Sequence, residues 1–294
     1  MKIGVSIYSF HEYAKESSLG VKGCIDKVKE FGGEGVDFVE VDNFGNIWDT
    51  FDAEAYKAYA KDIGNYLKEV GMEAGCFCCG SDFINRDPEG EIKRLKTMID
   101  IAECYGCKVL RHDATPGIPS SVKTVNRSFD TLLPTIVKCY REVTAYAKTK
   151  GIRTCIENHG FFAQDPERVE KLIAAVGDEN FGALVDIGNF ACADADHNYA
   201  VGLLANYAFH AHAKDFHKLS GSEPDPGEGY FKSRGGNYLR GAIIGHGNVP
   251  VKQCVDTLKR NGYDGWLMIE FEGMEDPLKG IRIGINNLKK YVND

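Results

Sequence analysis

The chain has 294 residues, 43% of them hydrophobic and 27% charged, and carries a formal net charge of -8. That mix fits a globular α/β chain with room for a full core. The acidic balance speaks against nucleic acid or anionic membranes as partners, and no apolar run approaches the roughly 20 residues of a membrane-spanning helix.

The N-terminus, Met1-Lys2-Ile3-Gly4-Val5, enters a strand pattern at once and carries no leader-like segment, so a cytoplasmic location is expected. Strand-like runs follow at about 3–8, 35–41, 73–78, 108–111, 152–157, 182–186, 208–213 and 266–270. Helical patterns lie between and after them, at about 19–31, 53–70, 89–104, 122–150, 166–176, 197–206, 251–261 and 277–292. Asp165 stands at an N-cap position before Pro166. Gly71, Gly106, Gly151, Gly177 and Gly262 follow helices, where a left-handed residue ends the turn. The ten cysteines include the run Cys76, Cys78, Cys79 and the pair Cys104, Cys107. In a chain of this size they are expected to be free, buried small hydrophobes.

Eight β-then-α units predict a single (β/α)8 TIM barrel over residues 1–294. The competing doubly wound sheet normally shows a glycine-rich loop after its first strand, and Ser9-Phe10-His11-Glu12 is unlike one. A long loop without a helix runs from Asp215 to Pro250 after the seventh strand. Loops of that length are commonly functional.

Active sites of such barrels form at the C-terminal strand ends. Glu157, Asp186, His212 and Glu270 fall at the ends of strands five to eight, which are neighbours on the rim. Strands about 4.8 Å apart let four such side chains reach one point. Three carboxylates and an imidazole suit one divalent cation, Mn2+ first, with Mg2+, Co2+ or Zn2+ as alternatives.

These positions, with Glu157-Asn158-His159, Lys214-Asp215-Phe216, Gly262-Tyr263-Asp264-Gly265-Trp266 and Glu270-Phe271-Glu272, resemble the xylose-isomerase-like sugar phosphate isomerase/epimerase family along the whole chain. The resemblance implies Glu157, Asp186, His212 and Glu270 as metal ligands, and Glu157 and Glu270 as the acid/base pair. It implies isomerisation or epimerisation of a small keto-sugar or keto-polyol through a cis-enediolate. Many members carry a histidine three residues after the strand-six aspartate, where this chain has Asn189. Asparagine can hydrogen-bond a substrate hydroxyl but cannot shuttle protons. That substitution and the histidines His112, His159 and His246 motivate a lyase or dehydratase as the alternative. Cleavage of DNA, as in the AP-endonuclease branch, fits the charge poorly. A catalytically dead sugar-binding barrel is the reading without chemistry. Substrate contacts are expected from His112, His159, Asn189, Lys214, Arg240 and His246, with Arg111, Asp113, Glu40 and Asp42 also at strand ends, and Phe10, Phe44 and Trp48 as an apolar wall. The expected partner is a sugar or polyol, and the 215–250 segment leaves a homo-oligomer open.

Overall fold

The computed structural model describes residues 1–10, 13–14, 20–40 and 52–294. Asp42, Phe44 and Trp48 lie outside the described residues. Eight parallel strands close a barrel: β1 (Lys2–Ser6), β2 (Gly35–Val39), β3 (Glu73–Cys79), β4 (Val109–His112), β5 (Arg153–Glu157), β6 (Phe181–Asp186), β7 (Ala208–Ala213) and, last in sequence, β11 (Trp266–Ile269). The order around the barrel is β1-β11-β7-β6-β5-β4-β3-β2. Among the described residues, the helices are α1 (Gly20–Glu30), α2 (Ala53–Val70), α3 (Pro88–Tyr105), α4 (Phe129–Thr149), α5 (Pro166–Val176), α6 (His197–Leu204), α7 (Val251–Arg260) and α8 (Pro277–Asn293). No helix there is long and apolar enough to cross a membrane.

Strand alternation divides the core in two. Outward-facing residues such as Phe77, Leu110 and Ile156 join the large core beneath the helices. Inward-facing Cys76, Cys78, Val109, Cys155 and Leu184 form a small cluster inside the barrel. All ten cysteines are free, and nine of them are buried. Gly71, Gly106 and Gly177 cap α2, α3 and α5 with φ of 71°, 91° and 61°, which releases each chain sharply into the next strand.

Three differences from the expectation are instructive. The helix expected from 122 begins only at Phe129, because the Ser128 hydroxyl accepts from Thr131 N at 3.2 Å and sets the N-cap there. Asp165 makes no capping hydrogen bond to α5. Its carboxylate accepts instead from Arg234 Nη2 at 3.0 Å. The long connection after β7 lacks a helix, as expected, but carries a three-stranded antiparallel sheet, ordered β8-β10-β9, of β8 (Asp215–Leu219), β9 (Phe231–Lys232) and β10 (Tyr238–Ala242). Two tethers fix this sheet over the mouth. One is the Arg234–Asp165 pair. The other is the Asp194 carboxylate, which accepts from Ser233 Oγ at 2.8 Å and Asn237 Nδ2 at 2.7 Å.

Candidate metal centre at the barrel mouth

Glu157 and Asp186 are the last residues of β5 and β6, His212 the last but one of β7, and Glu270 the first after β11. Asp186 pairs directly with His212 across the β6–β7 ladder, so both side chains point inward at one level. One ligand atom from each of the four lies within 4.8 Å of the others. Two of these atoms are buried without a hydrogen-bond partner: Asp186 Oδ2 and His212 Nδ1. They face each other at 3.9 Å, and His212 Nδ1 lies 3.8 Å from Glu270 Oε1. Buried polar atoms are normally satisfied. A converging imidazole nitrogen and carboxylate oxygens left open fit a divalent cation, which would restore the missing bonds.

The remaining atoms of these residues are spoken for. Asp186 Oδ1 accepts from Gly188 N at 2.8 Å and Asn189 N at 2.9 Å, which aims Oδ2 at the centre. His212 Nε2 lies 3.0 Å from Asp37 Oδ2, and His210 Nε2 lies 2.6 Å from the same oxygen. Asp37 sits on β2, across the barrel, and its other oxygen accepts from Cys76 N at 2.7 Å. Gly75 makes room for it, since a Cβ there would stand 2.2 Å from Asp37 Oδ1. With Nε2 donating to Asp37, the imidazole presents Nδ1 to the centre.

The charges form a chain. Arg111 Nε stands 2.6 Å from Glu157 Oε2, and its Nη2 stands 3.0 Å from Asp113 Oδ1. Asn189 donates to Glu157 Oε1 at 2.8 Å and accepts from Lys214 Nζ at 3.1 Å. Lys214 Nζ reaches Glu270 at 2.5 Å, Asp186 at 3.4 Å and Glu272 at 3.5 Å. Burial works against charge on Lys214, but Asp186, Glu270 and Glu272 outweigh it and push its pKa up. Burial raises Asp186 to about 6, partly offset by Lys214. Burial would also raise Glu270, yet Lys214 and His212 hold it at about 2. His212 is pushed well up despite burial, by Glu270 and Asp37. Asp186 and His212 therefore hold a proton more readily than usual, where a cation would displace it.

A cavity of about 280 Å³ opens above this centre, lined among others by Glu157, Glu270, Glu272, Lys214, Arg111 and His159. His159 is half-exposed, with Nδ1 3.2 Å from Asp113 Oδ1. Burial opposes its charge, but Asp113 prevails and raises its pKa. Asn189 lies just beneath, bridging Glu157 to Lys214. The other expected contacts fall elsewhere. His112 points outward from β4 and stacks on Tyr140, centroids 4.4 Å apart; alternation that sends Arg111 inward sends its neighbour outward. His246 is exposed on the turn after β10 and does not line the cavity. Arg240 turns toward Glu275, 3.8 Å away, and the Tyr230 ring. Phe10 is fully buried in the large core. Tyr8, Glu40 and Glu272 do line the cavity. For Glu272 the signal was the Glu270-Phe271-Glu272 spacing, which places both carboxylates on one side of the chain. Asp37 stood out only as a charge within the apolar run Gly35-Val36-Asp37-Phe38-Val39.

A closed parallel barrel with a carboxylate–imidazole centre at its C-terminal rim defines a class of metal-site barrels. The chain belongs to the xylose isomerase-like TIM barrel family, whose model matches residues 25–291. It is 26% identical over 245 residues to an inosose dehydratase of Histophilus somni, covering 76% of this chain and 78% of that protein. It is 28% identical over 148 residues to an inosose dehydratase of Lactiplantibacillus plantarum, a match spanning 48% of each. The fold superposes on the crystal structure of the IolI protein with a bound zinc atom at a TM-score of 0.75 and 15% identity, covering 100% of this chain and 98% of that one.

Proposed function

We propose that this chain is a divalent-metal-dependent dehydratase of a keto-polyol of the inosose class, or of a closely related keto-sugar. The inosose dehydratase relatives support the substrate class. The observation that favours elimination over epimerisation is His159, which lines the same cavity as Glu157 and Glu270 and pairs with Asp113 at 3.2 Å. Epimerisation needs two proton-transferring groups on opposite faces of one carbon. Elimination needs a base at the carbon beside the carbonyl and a separate acid at the leaving hydroxyl.

Glu157, Asp186, His212 and Glu270 would hold the cation, with Mn2+ the preferred ion for so oxygen-rich a set. When bound, it supplies Lewis-acid polarisation of the substrate carbonyl. Glu270, kept ionised by Lys214 and His212, accepts the proton from the carbon beside the carbonyl. The C–H electron pair becomes a carbon–carbon double bond, and the bond to the β-hydroxyl breaks. That oxygen takes the proton of His159 and leaves as water. Arg111 and Asn189 fix Glu157, and Lys214 and Asn189 offer donors to the polyol hydroxyls.

Product mass tests the reading. Incubation of the metal-loaded enzyme with an inosose is expected to yield a product lighter by one water. An isomer of unchanged mass would overturn it. Glu270→Gln is expected to abolish solvent-deuterium uptake at the carbon beside the carbonyl. His159→Gln should slow water loss by roughly 100-fold, within the range of one acid catalyst, while deuterium uptake persists.

A further inference from the structure

A second cavity, of about 310 Å³, adjoins the first and shares Tyr8 and Glu272 with it. It lies between the end of β1, the segment after β11 and the inserted sheet. Its walls are Phe231 on β9, Phe271, Pro277 and the backbone of Gly229, Gly241 and Gly273. The floor is fixed, because Gly241 bridges Gly273 and a Cβ on Gly241 would stand 2.2 Å from Glu272 O. Ser9 is already committed there: its hydroxyl donates to Ile269 O at 3.2 Å and accepts from Phe271 N at 2.9 Å. Among the described residues that line it none is cationic, and the charged side chain is Glu272, which pairs with Lys214 of the first cavity at 3.5 Å. Phe231 is 41% exposed and Tyr8 37% exposed, both large rings open at the mouth.

We propose that this cavity is a second subsite, and that the substrate is a conjugate whose keto ring sits above the metal centre while a neutral aromatic or alkyl substituent occupies the second cavity. The proposal rests on the dehydratase reading for the ring and adds the class of the substituent. Among the described residues the lining disfavours a phosphate, which would meet the Glu272 carboxylate and apolar walls. It favours a flat apolar group, which Phe231 and Tyr8 can stack. A site of about 280 Å³ holds a single ring, whereas the two cavities together fall within the roughly 300–1,000 Å³ of sites that enclose larger ligands. The inserted sheet supplies β9 and β10, so the connection after β7 becomes the element that selects the substituent.

Binding of D-glucose, phenyl β-D-glucoside and glucose 6-phosphate to the metal-loaded protein, measured by calorimetry, tests this directly. The expected result is at least tenfold tighter binding of the phenyl glucoside than of glucose, and no gain for the phosphate. Phe231→Ala should cut the phenyl advantage at least threefold, and Phe231→Tyr should retain it. Phe231 is partly exposed, so its replacement leaves the fold intact, and far-UV circular dichroism checks this. Equal binding of glucose and phenyl glucoside, or a phenyl advantage unmoved by Phe231→Ala, would overturn the subsite. A concentration-dependent dimer that Phe231→Ala dissolves would also overturn it, by assigning the patch to a second copy. The two readings fail separately: water loss from an inosose without a phenyl advantage removes only the subsite, and a phenyl advantage without water loss removes only the dehydratase.

Discussion

Two clusters inside the barrel share His212 and differ in how completely they are satisfied. The deeper one, Asp37 with His210 and His212, has its carboxylate fully engaged: both Nε2 atoms reach one Asp37 oxygen and Cys76 N donates to the other, while His210 Nδ1 is left without a hydrogen bond. The upper one, Glu157, Asp186, His212 and Glu270, keeps Asp186 Oδ2 and His212 Nδ1 without hydrogen bonds, with Lys214 Nζ 3.4 Å from that Asp186 oxygen. Both meet the spacing of a metal site, but only in the upper one do an open carboxylate oxygen and an open imidazole nitrogen face each other, 3.9 Å apart. The lower one already balances its charge, since His210 and His212 hold Asp37 at about 2 against a burial that would raise it. The difference teaches that proximity of ligands is a weak criterion, and unmet valence a stronger one. The deeper cluster serves as the brace that turns Nδ1 of His212 upward.

The sharpest way to break this comparison is to remove one carboxylate from each cluster. Asp37→Ala strips two buried imidazoles of their shared acceptor, and is expected to lower unfolding stability by about 3–5 kcal/mol, the cost of breaking a buried charge pair. Asp186→Asn removes a carboxylate that burial disfavours, so metal-free stability should hold or rise. Its metal affinity should fall by about 1,000-fold, or roughly 4 kcal/mol. Denaturant melts and metal titration of both variants check the pair, and equal loss of stability in the two would erase the distinction.

A smaller effect probes a histidine outside both clusters. His112 is buried against Tyr140, and burial depresses its pKa to about 4, from an ordinary value of about 6.5. Between those values the unfolded chain binds more protons than the folded one. The stability from neutral His112 is therefore complete above pH 6.5 and is lost as pH falls toward 4. At pH 4.5 the loss should reach roughly 2–3 kcal/mol, and His112→Gln should lack that share of the pH dependence. Parallel melts of wild type and variant at pH 7.5 and 4.5 measure it.

How much was legible in the sequence differs along the same lines. The barrel, its strand spans and the four residues gathered at the rim follow from local patterns, because alternation decides a side chain's face within its own strand. The same rule, applied from Arg111 to His112, would have sent His112 outward, and the expected substrate contact overlooked it. Arg240 and His246 were placed by loop position alone, where no period constrains direction. The inserted sheet is not legible in the sequence because its strands are short, two to five residues, and lie in a glycine-rich connection, and their pairing joins residues on either side of an irregular stretch.

The sequence by itself determined the order of β and α units, the inward face of β5, β6 and β7, and the carboxylates and histidine at their ends. These depend on periods of two and 3.6 residues, which any short window contains. Only the tertiary structure decided that Asp37 reaches His210 and His212, that Arg111 meets Glu157, and that β9 walls a second cavity beside the first. Those contacts span large sequence separations and exist only because the barrel closes. Closure brings β2 across from β7, and no local pattern records which distant strand a side chain will face.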